Sequence, residues 1–339
     1  MSKGRRHHGH VPRCLLASGV AVSLGFGVVA CGNDEERITA GLIIKQDTNP
    51  FFVKIEDTAK KTAGDENVEL LVAAGKSDVD NDSQVAALED MTERGAKGIL
   101  ITPANSAEVV PAIEAAREAG VIVIALDTPT DPESAADALF ATDNLEAGEL
   151  IGRYAKAKAE EDGTEPRIAM LDLGPGGESG KLRHDGFLKG FGIEDGDPQI
   201  VGSVDTEGNE EKAEAGMRQL LEQDPGINIV YTVNEPAAFG AASALEAVGR
   251  SDDDVILVSV DGGCEGIKRG IRTGEIDATS QQYPENMASK GVEAVAEAAR
   301  GGEKPSGYLD TGVKLIAGDA VDGVESEGEA FGVRNCWGD

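Results

Sequence analysis

From Ile38 onward the chain alternates short apolar runs with amphipathic stretches, and this alternation limits its folds more than any other feature. The runs read ITAGLIIK, VELLVAAG, GILITP, VIVIALD, RIAMLDL, IVGSVD, INIVYTV and VILVSVD. Val121 to Leu126 is apolar at every position, the mark of a parallel strand covered by helices on both faces. Between the runs lie segments such as SAEVVPAIEAAREAG, with a small capping residue at the start and Gly120 at the close. Repeated β-α units of this kind imply an α/β fold of parallel sheets joined by right-handed crossovers. At 339 residues and 40% hydrophobic content there is enough chain for two lobes of ordinary domain size, each with its own core.

In such sheets ligands collect beyond the carboxyl ends of the strands. Those positions hold Lys45 to Phe52, Thr102 to Ser106, Asp127 and Thr128, the LGPGGESGKLRHDG loop, Asp205 to Asn209, Asn234 and Glu235, Asp261 to Cys264, and Gln281 with Gln282. Nearly every end offers a hydrogen-bonding side chain and few offer a cluster of charge, which suits a polar, neutral, hydroxyl-rich ligand. Aromatics make up only 4% of the chain, so the adjacent Phe51 and Phe52 at a strand-to-helix turn require a reason.

The formal charge of -31 repels phosphate backbones and argues against nucleic-acid binding. The acids are spread along the chain and read as a solvated surface. Residues 1–31 differ in kind: Lys3, Arg5, Arg6 and Arg13 precede an apolar run from Cys14 to Ala30, as in an export signal. The run ends in VVAC, which resembles the lipobox of bacterial lipoproteins and makes Cys31 the lipidated residue. A plain cleaved signal and an uncleaved anchor are the alternatives. Without the leader two cysteines remain, Cys264 and Cys336. Export implies an oxidising compartment, where they are expected to pair and tie the C-terminal tail to the body; two buried free thiols remain the alternative.

Several motifs fail on counting. GPGGESGKL has Pro175 where a phosphate loop needs its first Gly and Leu182 where it needs Ser or Thr. Asp78, Asp80, Asp82 and Glu89 stand at calcium-loop positions, yet Ser83 replaces the turn-making Gly, and the preferred reading is a polar loop whose Asp82 or Ser83 caps the following helix. Three of the four histidines lie in the leader, leaving His184, so no histidine-based metal site can be built. There is no Gly-x-Ser-x-Gly elbow, and paired carboxylates such as Asp127 and Asp261 could act on a glycoside only at a separation that sequence does not fix. No catalytic residue, cofactor or metal is assigned, and the chain is expected not to be an enzyme.

Taken together, TNPFFVK, GAKGILITP, VIVIALDTP, FATDN, GELIG, DPGINIVYTVNEPAA, VSVDGGC, ATSQQYP and the closing CWG resemble the ribose-type sugar-binding proteins of bacterial ABC importers. They run in that family's order from about residue 40 to the end, and are most similar to its fructose-binding type. The resemblance implies two Rossmann-like lobes with parallel sheets, joined by three hinge crossovers and closing on a sugar, the periplasmic binding protein type I fold. The N-terminal lobe would hold 38–142 and 283–314, the C-terminal lobe 143–282 and 315–339, with hinge crossings near Thr142, Gln282 and Val313. It also adds weight to the Cys264–Cys336 pairing.

By the same resemblance Phe51 and Phe52 would lie against the apolar face of the sugar ring, with Asn49 beside them as a hydrogen-bonding residue. Asp127 would accept from two hydroxyls, Arg183 would donate from the second lobe, and Asn234, Asp261 and Gln282 would complete the set. Lys45 and Asn209 are further candidates from the fructose-binding pattern. Thr128 stands where the ribose binder carries an Arg after the Asp of its fourth strand, and the ribose binder's second-lobe aromatic falls near Gly208, which would enlarge the pocket toward a hexose. The resemblance thus implies a monomeric, lipid-anchored receptor on the outer face of the cell membrane, delivering a monosaccharide, fructose in particular, to an ABC permease. A sugar-sensing subunit for a chemoreceptor or histidine kinase is the alternative.

Overall fold

The computed structural model describes residues 37–250 and 254–338; the leader and Cys31 lie outside them. Strands β1 (Ile38–Ile44), β2 (Val68–Ala74), β3 (Gly98–Ile101), β4 (Ile122–Leu126), β5 (Ala138–Ala141) and β11 (Gly307–Asp310) form one parallel sheet, ordered β11-β5-β4-β3-β1-β2. The second sheet contains β6 (Ile168–Asp172), β7 (Ile200–Asp205), β8 (Ile229–Thr232), β9 (Ile256–Asp261), β10 (Ala278–Gln281), β12 (Lys314–Ala317) and β13 (Glu327–Gly328). Its order is β13-β12-β10-β9-β8-β6-β7, with β12 alone antiparallel to its neighbour β10. Strands β3, β4, β8 and β9 are buried at every residue, as largely apolar runs sandwiched between helices must be, and so is the more polar β10.

The chain passes between the sheets after β5, after β10, and between β11 and β12. The Thr142 hydroxyl donates to the Gly312 carbonyl at 3.3 Å, tying two of these passages together.

Helix α1 (Pro50–Asp65) buries Phe52, Ile55, Ala59 and Ala63, one stripe at helical spacing. This stripe faces α8 (Pro284–Ala299), which returns from the second sheet to cover the first and buries Met287, Ala288, Val292 and Val295. In the second lobe α4 (Asn144–Asp162) and α5 (Glu178–Phe191) cross with backbones almost touching. A Cβ on Gly148 would run into the Arg183 carbonyl, and one on Gly186 into the Leu145 carbonyl. Only glycine permits that approach, and the crossing sets where Arg183 sits.

The C-terminal tail straddles both lobes. Cys264 and Cys336 are paired with Cα atoms 4.8 Å apart, and the Cys264 N–H donates to the Trp337 carbonyl at 2.8 Å. The Trp337 ring nevertheless lies in the first lobe's core against Phe51, and its Nε1–H donates to the Gln282 carbonyl at 2.9 Å.

Two capping expectations need correction. Helix α2 (Asn81–Glu93) is capped by Asp80, whose carboxylate accepts from the Ser83 N–H at 3.2 Å, and not by Asp82 or Ser83. Helix α3 (Val110–Glu118) begins later than expected, at Val110 with Pro111 in its first turn, and has no side-chain cap. The residue expected there, Ser106, instead reaches the other lobe: its N–H donates to the Gly176 carbonyl at 2.8 Å and its hydroxyl accepts from the Glu178 N–H at 3.1 Å. The first amide of α5 is thereby satisfied from across the cleft.

Candidate functional site

The strand ends of both lobes meet around a small cavity lined by residues of each.

The first-lobe wall begins at Asn49, which caps α1 by accepting from the Phe51 N–H at 2.9 Å. Pro50 pre-sets the first helical turn, so Phe51 and Phe52 enter the cavity wall from a fixed backbone. Both are 3% exposed, and their rings meet edge to face at 5.4 Å, with Trp337 edge-on to Phe51 at 5.5 Å. Lys45, at the end of β1, is buried beside them, its Nζ 5.9 Å from the Phe52 ring centroid.

Asp127 follows β4 at φ 61° and Asp261 ends β9 at φ 113°, conformations that carboxylate residues rarely hold and that cluster at functional sites. The Asp127 carboxylate accepts from Thr128 at 2.8 Å, and the Thr128 hydroxyl is 2.8 Å from that of Ser179 in the other lobe. Asp261 accepts from the Glu235 N–H at 3.1 Å and from the Gln282 amide at 2.8 Å.

Arg183 projects from α5 between these carboxylates. Its Nε–H donates to Asn144 at 2.8 Å, Nη1 to the Val233 carbonyl at 3.0 Å, and Nη2 to Asp127 across the cleft at 3.3 Å, with Asp261 at 3.6 Å. The guanidinium is a buried, fully oriented donor shared by carboxylates from two lobes. Burial pushes Asp261 up to about 6 although Arg183 opposes the shift. Burial and the nearby Asp261 charge push Glu235, beneath the site, up to about 8 against two backbone N–H donors, Gly263 and Gly266.

Lys45, Asn49, Phe51, Phe52, Asp127, Arg183, Asn234 and Asp261 all line the cavity. Asn234 caps α7 (Glu235–Ala247) and also donates to the Gly208 carbonyl at 3.1 Å. Gln282 lies behind Asp261, orienting it, with its own Oε1 buried and without a hydrogen bond among the described residues. Asn209 is exposed and caps α6 (Glu210–Gln223), and it is not among the residues lining the cavity.

Asp78 and Ser179 line the cavity without having been assigned to it from sequence. Asp78 stood in the calcium-like pattern, but it is 3% exposed and turned inward to Gln46 at 2.6 Å, while Asp80 turns to its helix. Burial raises the Asp78 carboxyl, with Lys45 opposing. His184 is not in the cavity; it bridges Asp172 at 2.7 Å and Asp195 at 3.0 Å, which raises its imidazole to about 9 and pins α5 to β6. No cluster of three or more metal-ligating side chains occurs among the described residues.

Two parallel-sheet lobes, three passages between them and one cavity shared by facing strand ends define a two-lobed solute-binding protein of the type I periplasmic architecture. The chain belongs to the periplasmic binding protein family, whose domain model matches residues 40–304. It is 30% identical over 301 residues to the ribose import binding protein of Salmonella typhimurium, covering 89% of this chain and 96% of the relative. It is 25% identical to the D-allose-binding periplasmic protein of Escherichia coli, covering 77% and 85%. A solved ABC transporter periplasmic solute-binding protein from Actinobacillus succinogenes with bound D-allose superposes with a TM-score of 0.73 at 26% identity, covering 83% of this chain and 98% of that one. These relatives are transport binding proteins, and this chain is a binding protein, not an enzyme.

Proposed function

We propose that the chain captures a monosaccharide, fructose first among candidates, and delivers it to an ABC permease. One observation carries this reading: in a small cavity between the lobes, Arg183 of one lobe and Asp127 of the other form a donor–acceptor pair that a sugar diol can enter from both sides. Hydroxyls both donate and accept, so such a pair suits them, while Phe51 and Phe52 offer an apolar wall to the ring's C–H face. The relatives named above for ribose and D-allose support the ligand class. A sugar favours closure because only the closed form lets both lobes bond it at once, and the permease then recognises the closed surface.

Calorimetry of the purified chain against fructose, allose, ribose, arabinose, glucose, galactose, xylose and myo-inositol tests the reading. Saturable one-to-one binding of a monosaccharide is expected; no heat with any of the eight overturns it. Binding also depends on pH. Asp261, raised to about 6 by burial, accepts ligand hydroxyls fully only when ionised. The association constant is therefore expected to be flat above about pH 7 and to fall below 6, at most tenfold per pH unit for one proton. Asp261→Asn is expected to bind weakly with no such slope, and an unchanged slope in that variant would exclude Asp261 as its source.

We also infer that the protein works as a monomer held outside the cytoplasm by lipid on Cys31, with the Cys264–Cys336 pair oxidised there. The full chain is expected in the membrane fraction and Cys31→Ser in the soluble one; equal partition of both would overturn the anchor.

A further inference from the structure

Lys45 and Asp78 sit in the cavity wall on the first lobe, and each keeps hydrogen-bonding capacity that the described residues leave unused. Lys45 is 1% exposed, and among the described residues its ammonium makes no hydrogen bond and no ion pair, Asp78 included. Asp78 is 3% exposed and uses one carboxylate oxygen, Oδ1, to accept from Gln46; Oδ2 accepts from none of the described residues. Oδ2 points toward Gly208 of the other lobe, where an added Cβ would stand 2.9 Å from it and 2.7 Å from the Asn234 amide. Gly208, held at φ 63°, thus keeps that corner free of side chain. The result is a buried cation and a buried carboxylate oxygen, near enough to feel each other's charge but not in contact, beside an opening.

We propose that Lys45 and Asp78 form a second hydroxyl-reading couple, which takes the hydroxymethyl group of a hexose and makes the site prefer hexoses to pentoses. The inference rests on the monosaccharide reading above. A hydroxyl accepts from an ammonium and donates to a carboxylate at the same time, which an ether oxygen or a methyl group does not. The ring hydroxyls have Asp127, Arg183 and Asp261 to bond, so the extra couple calls for an extra hydroxyl. A ligand without one would bury both groups unpaired, and sites built to bond a hydroxyl reject analogues lacking it strongly.

The test is calorimetry on matched pairs that differ only by a hydroxymethyl group, D-allose with D-ribose and D-fructose with D-arabinose, for the wild-type chain, Asp78→Asn and Lys45→Met. In at least one pair the wild type is expected to bind the hexose tenfold or more tightly than the pentose. Either substitution should weaken the hexose at least tenfold more than its pentose partner, collapsing the ratio. Asp78→Asn is nearly isosteric and Lys45→Met keeps the stem, and melting curves establish that each variant folds. Wild-type binding without hexose preference, or equal loss for both members of a pair in both variants, overturns this inference and leaves the monosaccharide reading standing. No binding of any sugar by the wild type overturns the reading and the inference together.

Discussion

Arg183→Ala is expected to abolish measurable sugar binding, weakening it at least about a hundredfold, and to lower the melting temperature as well. The two losses share a cause. The guanidinium lies within 3.3 Å of Asp127 and 3.6 Å of Asp261, all three nearly fully buried. Removing one member of a buried ionic set costs about 3–5 kcal/mol, because the carboxylates left behind are uncompensated. Some of that cost appears as stability, because Asn144 and the Val233 carbonyl lose their donor too. The rest is expected as affinity, since Asp127 and Arg183 stand on opposite lobes and both line the cavity. Arg183→Lys keeps the charge without the planar fork and should fall between. Equilibrium binding and urea melts on both variants separate the components; wild-type affinity in Arg183→Ala would remove Arg183 from the site.

Gly148→Ala should destabilise the second lobe although it replaces glycine within a helix by the best helix former. Propensity favours alanine by about 1 kcal/mol. Against it, the new methyl group meets the Arg183 carbonyl, a backbone atom that no rotamer change can move. Overpacking of this kind costs about 1–3 kcal/mol, and relief by sliding α5 carries Arg183 off its carboxylates. The expected outcome is a lower melting temperature and weaker binding together. Gly64→Ala in α1, where an added Cβ meets nothing within 4 Å, is the control and should gain stability. If Gly148→Ala behaves like Gly64→Ala, the seam does not position Arg183.

The strands and their ligand-facing ends were legible because buried parallel strands write themselves as unbroken apolar runs. Asp127, Arg183, Asn234 and Asp261 were found because they follow such runs or carry the family's motifs. The α4–α5 seam was not legible, since Gly148 and Gly186 are meaningful only once two helices are known to cross there. Asp78 was hidden for a related reason. In sequence it belongs with Asp80 and Asp82, whereas in space one faces Gln46 and the next its own helix cap. Asn209 is ambiguous in another way: a polar residue after β7 satisfies a motif whether it bonds a ligand or caps a helix, and here it accepts from the Lys212 N–H. Ser106 showed the same ambiguity, reading as a helix cap but serving as a latch between lobes.

The chain contains a single tryptophan, and its ring stands edge-on to Phe51 at 5.5 Å while its carbonyl is held by Cys264 of the other lobe. All indole emission from this protein therefore originates at one place, directly behind the aromatic wall of the cavity and across the joint on which closure turns. Occupancy of the cavity is therefore expected to shift this emission, so that capture and release can be timed by stopped-flow fluorescence in the unlabelled chain.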